Sequence, residues 1–98
     1  MKIELNEEAD RELNEAIEYY NRERADLGWE FFSDLYDLLT LVARNPRRCP
    51  WVDDNSLRRC SMRRFPYSIV YSPDPDAVRV LAIYHQSRDP NYWRTRIK

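Results

Sequence analysis

The pattern of apolar and polar positions divides the chain into a helical half and a strand-rich half. Lys2–Leu5 alternates in polarity and predicts a short edge strand. Asn6 predicts a helix N-cap, because its side chain can accept from backbone N–H groups of the first turn and acidic residues follow it. The apolar positions of this helix recur at helical spacing and are Ala9, Leu13, Ala16, Ile17 and Tyr20.

A second helix follows Gly28, the only glycine, which predicts the turn between the two helices. Asn45-Pro46 predicts the end of this helix. Its wide apolar face consists of Trp29, Phe31, Phe32, Leu35, Leu38, Leu39 and Val42. We therefore expect an antiparallel helix hairpin whose apolar side is covered by a second layer.

A loop is predicted at 45–56, where proline, aspartate, asparagine and serine cluster. From Leu57 onward the polarity alternates with a period of two residues, which predicts a strand with one apolar and one polar side. The apolar side carries Cys60 and Met62, and the polar side carries Arg59, Ser61 and Arg63.

Two further strands complete the predicted sheet. Tyr67–Ser72 forms one, and Val78–Tyr84 is apolar on both faces, which is typical of a central strand with cover above and below. Asp89 and Pro90 predict the cap and first position of a short helix at 90–97. The predicted fold class is α+β: an N-terminal strand, an antiparallel helix hairpin packed on a mostly antiparallel four-stranded sheet, and a short C-terminal helix or tail.

Charge is distributed unevenly along the chain, although the net charge is only -1. Residues 1–43 carry four basic and twelve acidic side chains, whereas residues 44–98 carry twelve basic and five acidic ones. Fourteen of the sixteen basic residues are arginines, which bind carboxylates and phosphates with two parallel hydrogen bonds. The C-terminal half therefore resembles a contact surface, and the alternative is that acidic helices balance a basic sheet within one fold.

Cysteine usage and the first residues indicate a cytoplasmic protein. Cys49 and Cys60 are too few, and too far from other ligand types, to indicate a zinc site, so we expect two reduced thiols. Met1–Leu5 lacks an apolar run with a cleavage site, and no uncharged stretch is long enough to span a membrane. We expect an unprocessed chain with no metal, no cofactor and no membrane contact.

Three segments of the C-terminal half share a recognisable pattern. Arg64–Tyr71 reads RFPYSIVY, Val80–His85 reads VLAIYH and Arg88–Trp93 reads RDPNYW. Together with the first helix, Glu8–Tyr20, and the order of elements, they resemble the RelE/ParE toxin superfamily. The resemblance spans nearly the whole chain and implies a single RelE/ParE-like toxin domain at 1–98.

This resemblance implies the toxin half of a bacterial type II toxin-antitoxin pair, neutralised within a hetero-oligomer by a cognate antitoxin that the neighbouring gene encodes. ParE-like members poison DNA gyrase, whereas RelE-like members enter the ribosome and cut messenger RNA. A partner with an acidic, amphipathic C-terminal segment is expected to lay a helix in the groove of the helix hairpin or add a strand to the sheet edge.

Candidate catalytic residues exist if the chain is a nuclease. Attack by the ribose 2′-hydroxyl needs a base, a cation at the phosphate and an acid for the leaving oxygen. The candidates are Arg63, Arg64, His85 and Arg88. The alternatives are a strand-end His85 that is hydrogen-bonded to the tail or to Asp89, and arginines that are solvated or anchor the antitoxin.

Candidate contact residues lie on the strands and in the tail. The residues expected to contact target or antitoxin are Arg59, Arg63, Arg64, Arg88, Tyr92, Trp93 and Arg94. Tyr92 and Trp93 can stack on bases, but consecutive aromatics in a terminal segment favour a clasp that ties the tail to the core. The acidic face of the first helix, Glu12, Glu15 and Glu18, is expected to be solvated.

Residue chemistry favours a toxin that acts on gyrase over one that is a nuclease. The whole chain is close to neutral, lysines are nearly absent, and no second titratable base is close to His85 in sequence. A ribosome-dependent endoribonuclease acting on messenger RNA remains the alternative. A non-toxic binding module that retains the fold is the third hypothesis.

Overall fold

The computed structural model describes residues 2–52, 57–89 and 91–96. The helices are α1 (Glu7–Glu23) and α2 (Leu27–Arg44), and the strands are β1 (Lys2–Leu5), β2 (Arg58–Ser61), β3 (Tyr67–Pro73) and β4 (Ala77–His85). A 3₁₀ tail covers Tyr92–Arg96. The α+β prediction is confirmed, although the terminal helix is 3₁₀ and its expected first residue, Pro90, lies outside the described residues.

The sheet is mixed, with strand order β1-β4-β3-β2. β1 runs parallel to β4, while β4–β3 and β3–β2 are antiparallel. This order makes β4 an interior strand, as its apolar sequence predicts. It also leaves β1 and β2 as the two edges, and β2 borders the groove described below.

Specific contacts define the start of α1 and the connection between the two helices. Asn6 caps α1 by accepting from the Ala9 N–H at 2.8 Å, as expected. Gly28 is not the turn residue, which corrects the sequence prediction: it lies in the first turn of α2, and the positive φ of 67° belongs to Asp26. A Cβ at Gly28 would lie 2.2 Å from the Ile17 carbonyl oxygen, so glycine is needed there for close helix approach.

The main core lies between the helices and the sheet. On α2 it is built on Phe31, Leu35, Leu39 and Val42, which are all buried. Trp29 and Phe32, which the sequence places on the apolar face, are 57% and 40% exposed instead. They occupy the neighbouring ridge of the helix, where the sheet does not reach.

The opposite face of the sheet is covered by the tail. Trp93 is fully buried there, and the cluster that it completes contains Leu57, Val70, Ala82 and Tyr84. This second cluster explains why β4 is apolar on both faces. It also places Trp93 as a structural residue that has no exposed surface for a partner.

Cys49 and Cys60 form a disulfide in this structure, which corrects the expectation of two reduced thiols. The bond joins the loop after α2 to β2. Tyr71 Oη also donates to the Pro46 carbonyl at 2.8 Å, so the start of this loop is held against β3. Residues 53–56 of the predicted loop lie outside the described residues.

Among the residues that the structure describes, no helix combines the length and the hydrophobicity needed to cross a bilayer.

Candidate partner-binding groove

A groove of about 780 Å³ runs between α2 and the edge strand β2. Its floor is apolar and is formed by Leu38, Leu41, Trp51, Met62 and the Cys49–Cys60 disulfide. Trp51 is 56% exposed and Leu41 is 42% exposed, so these side chains offer apolar surface to a partner.

The two walls of the groove carry opposite charges. The α2 wall contributes Asp34 and Asp37. The opposite wall has two parts: the loop wall, after α2, contributes Arg48, and the strand wall, β2 with the turn after it, contributes Arg59, Arg63 and Arg64. Cations therefore outnumber carboxylates along the groove. A segment that carries several carboxylates and a few apolar side chains matches this lining.

The edge of β2 offers unpaired backbone groups to the groove. The Met62 N–H donates to the Tyr67 carbonyl at 2.9 Å, toward β3. Because successive residues of an antiparallel strand point their backbone groups to opposite sides, the N–H and C=O of Ser61 face away from β3. The Arg59 N–H points the same way and already donates to the Pro50 carbonyl at 3.1 Å. An added strand would thus pair first with Ser61.

Arg58 is a buried cation beside the groove, which the sequence analysis missed, although the strand alternation places Arg58 on the same side as Cys60 and Met62. It is 7% exposed, and its Nη1 donates to the carbonyls of Arg47 at 3.1 Å and Cys49 at 2.7 Å. Its guanidinium lies 4.1 Å from the centroid of the Trp51 ring. These contacts hold the loop wall of the groove in position.

Arg64 is neutralised within the chain by Glu30 of α2. Its Nη2 donates to Glu30 Oε1, and Arg24 contacts the other oxygen of the same carboxylate at 3.3 Å. The hydrogen bond from Arg64 lowers the pKa of Glu30 below its usual value. Arg64 is therefore less available than Arg63 for an acidic partner.

His85 and Arg88 lie in a second groove, of about 450 Å³, beside α1 rather than beside β2. His85 Nδ1 accepts from the Ser87 N–H at 3.0 Å and lies 2.7 Å from Ser87 Oγ, so its hydrogen-bonding partner is Ser87 rather than Asp89. The Arg88 guanidinium lies 3.9 Å from the centroid of the Tyr92 ring. The four nuclease candidates are thus divided between two grooves.

The tail is tied to α1 by Glu12, whose role the sequence did not reveal. Glu12 accepts from Tyr92 Oη and from Nη1 of Arg96 at 2.9 Å, and it is nearly buried rather than solvated. Burial, followed by the hydrogen bond to Glu12, raises the pKa of Tyr92 above its usual value. Arg94, the last of the expected contact residues, donates through Nε to Asn91 Oδ1 at 2.9 Å.

Comparison with known families identifies the chain. The family described as "ParE toxin of type II toxin-antitoxin system, parDE" matches residues 3–90. The chain belongs to the ParE toxin family. No curated protein sequence matches it significantly.

Two solved structures have the same fold as this ParE-family toxin. A chain described as "Chromosomal ParDE TA system from P. aeruginosa" superposes with a TM-score of 0.75 at 12% identity, covering 87% of this chain and 95% of that one. The isolated E. coli RelE toxin superposes with a TM-score of 0.67 at 18% identity, covering 96% and 93%. At these identities the likeness concerns the fold alone.

Proposed function

We propose that this ParE-family toxin inhibits growth by binding DNA gyrase, and that a cognate antitoxin neutralises it by occupying the groove between α2 and β2. The toxin-antitoxin role follows from the family match to residues 3–90. The choice of gyrase over messenger RNA rests on the arrangement of the candidate catalytic residues.

The separation of those residues supports the gyrase target. Arg63 and Arg64 line the groove, whereas His85 and Arg88 line the second groove beside α1. A general base and the phosphate-binding cations must reach the same reacting group to cleave RNA, and of the three candidate arginines only Arg88 shares a groove with His85. Arg64 is also engaged by Glu30, which reduces its ability to bind a phosphate.

The shape and charge of the groove support the antitoxin site. An acidic amphipathic segment would place apolar side chains on Leu41 and Trp51 and carboxylates near Arg59 and Arg63. An extended stretch of it would add a strand at Ser61, where the edge of β2 has unpaired backbone groups. Both contacts fit one extended partner in a hetero-oligomer.

Induction of the chain in bacteria without the antitoxin tests the target. A gyrase poison produces double-strand DNA breaks and an SOS response while translation continues at first. Blocked translation with intact DNA would contradict the proposal, and unaffected growth with an unmutated gene would favour a non-toxic binding module.

The alternative, a RelE-like ribosome-dependent endoribonuclease, is favoured by the shared fold with the E. coli RelE toxin. It requires codon-aligned cleavage of translated messages that is lost in the His85→Ala or Arg64→Ala variants. A gyrase poison would leave those messages intact.

A further inference from the structure

We propose that Cys49 and Cys60 form a thiol–disulfide switch that sets how firmly the groove holds its partner. This inference rests on the proposed use of the groove by an antitoxin. Its physical basis is the position of the disulfide: both cysteines line the groove, and the bond connects the loop after α2 to β2.

The disulfide joins the loop wall of the groove to the strand wall. Cys49 lies in the loop after α2 and Cys60 lies in β2, with a Cα–Cα distance of 5.5 Å. They are 7% and 6% exposed, and both line the groove. Cys60 also precedes Ser61, whose backbone groups are available to an added strand.

Without the covalent bond, the described part of this loop is held by non-covalent contacts, among which hydrogen bonds to β2 are prominent. Arg58 donates to the carbonyls of Arg47 and Cys49, and the Arg59 N–H donates to the Pro50 carbonyl. Hydrogen bonds of this kind open locally, whereas a disulfide does not. The oxidised groove is therefore preorganised, and a partner pays a smaller ordering cost to bind it.

Reduction needs a dithiol reductant of the thioredoxin class. One thiolate of the reductant attacks a cysteine sulfur, the disulfide opens to a mixed disulfide, and the second thiol of the reductant displaces the cysteine. Two electrons pass to the protein, the reductant leaves as its own disulfide, and the two protons end on the Cys49 and Cys60 thiols.

Partner binding and reduction of the disulfide affect each other. If the partner binds the oxidised groove more tightly, its presence makes the disulfide harder to reduce by the same factor. A partner that lies on the groove floor also covers the two sulfur atoms and slows the attack. A toxin released from its partner would then be the form that is reduced.

Affinity measured in both redox states tests the switch. The full chain is titrated with the product of the neighbouring reading frame, before and after treatment with dithiothreitol, and alkylation followed by mass measurement counts the free thiols. We expect the dissociation constant to rise about tenfold on reduction. The Cys49→Ala/Cys60→Ala variant should bind the partner with the affinity of the reduced chain, and dithiothreitol should not change that affinity.

Limited trypsin digestion of the chain alone separates this inference from the proposed function. Cleavage after Arg47 and Arg48, which are exposed in the loop, should become about tenfold faster on reduction. Cleavage after the exposed Arg24, outside the groove, is the reference site. Equal cleavage rates, equal affinities, or two free thiols in the chain under air would overturn the switch. If the neighbouring gene product binds neither the oxidised nor the reduced chain, the proposed antitoxin site is wrong. The digestion rates then decide by themselves whether the disulfide limits local opening of the loop wall.

Discussion

Glu12 of α1 accepts hydrogen bonds from both terminal nitrogens of Arg96, at 2.9 and 3.0 Å, across 84 positions of sequence. The two side chains are 10% and 11% exposed, so the pair lies nearly out of water. The Ile83 N–H of β4 also donates to this carboxylate at 3.1 Å. One acidic side chain thus joins the helix layer, the sheet and the tail.

Removal of this carboxylate should destabilise the fold. Glu12→Ala leaves the nearly buried Arg96 with only the more distant Glu8, at 3.9 Å, among the described carboxylates, and we expect the free energy of unfolding to fall by about 3 kcal/mol. Urea denaturation measures the change. Glu15→Ala is the matched control, because Glu15 forms an exposed pair with Arg11 at 3.6 Å, and such pairs contribute below about 1 kcal/mol. Equal losses in the two variants would contradict the assigned role of Glu12.

A methyl group at Gly28 should separate the two helices. Besides the close approach to the Ile17 carbonyl, a Cβ there would lie 2.7 Å from Cγ of Asn21, whose Oδ1 accepts from the Gly28 N–H. We expect Gly28→Ala to lower the free energy of unfolding by about 1–3 kcal/mol. Ala25→Gly, at an exposed position in the same connection, provides a comparison by thermal denaturation. A neutral Gly28→Ala variant would show that the helices are not in close contact here.

Alkaline pH should weaken the fold through its buried tyrosines. Burial is the main cause that raises the pKa of Tyr67 to about 12 from the usual 10.0. Between these values the unfolded chain binds fewer protons than the folded chain, so stability falls as pH rises. Tyr67→Phe should reduce that slope by up to about 1.4 kcal/mol per pH unit. Urea titrations from about pH 9 to 11.5 measure the slope, and an unchanged slope would contradict the shift.

Charge reversal in the groove should weaken binding of the neighbouring gene product. Arg63→Glu replaces an exposed cation of the groove wall, and we expect the dissociation constant to rise about tenfold or more, with a weaker dependence on salt. Arg11→Glu, on the exposed face of α1, is the matched charge control. Equal effects of the two substitutions would mean that binding depends on the net charge of the chain and not on the position of Arg63 in the groove.

Local patterns predicted most of the fold because the relevant physics is local. The Asn6 cap, the apolar stripe of α1 and the two-faced apolarity of β4 follow from neighbouring residues, and the structure confirms them. Glu12–Arg96 and Cys49–Cys60 depend on how distant segments meet, which periodicity does not encode. Trp29 and Phe32 were misplaced because α2 is apolar over more than one face, and only the position of the sheet decides which face is buried.

The candidate site was predicted in part. The sequence placed its arginines on one strand, whereas β2 ends at Ser61 and Arg63 and Arg64 lie in the turn after it. It did not show their separation from His85 and Arg88. That separation arises because β3 lies between β2 and β4, so the ends of these two strands lie at the same end of the sheet but are offset sideways by one strand. The burial of Arg58 was missed, although the alternation that puts Cys60 and Met62 on the apolar side of the strand puts Arg58 on that side as well.

The central claim is that this toxin traps DNA gyrase on DNA. In the most direct test, the purified chain is incubated with bacterial gyrase, ATP and supercoiled plasmid. Detergent and protease then release the trapped breaks, and the amount of linear plasmid is measured. Linear plasmid should accumulate with the dose of toxin, and prior addition of the neighbouring gene product should prevent it. Intact plasmid at every dose, together with cleavage of a translated message in a parallel ribosome reaction, would contradict the claim.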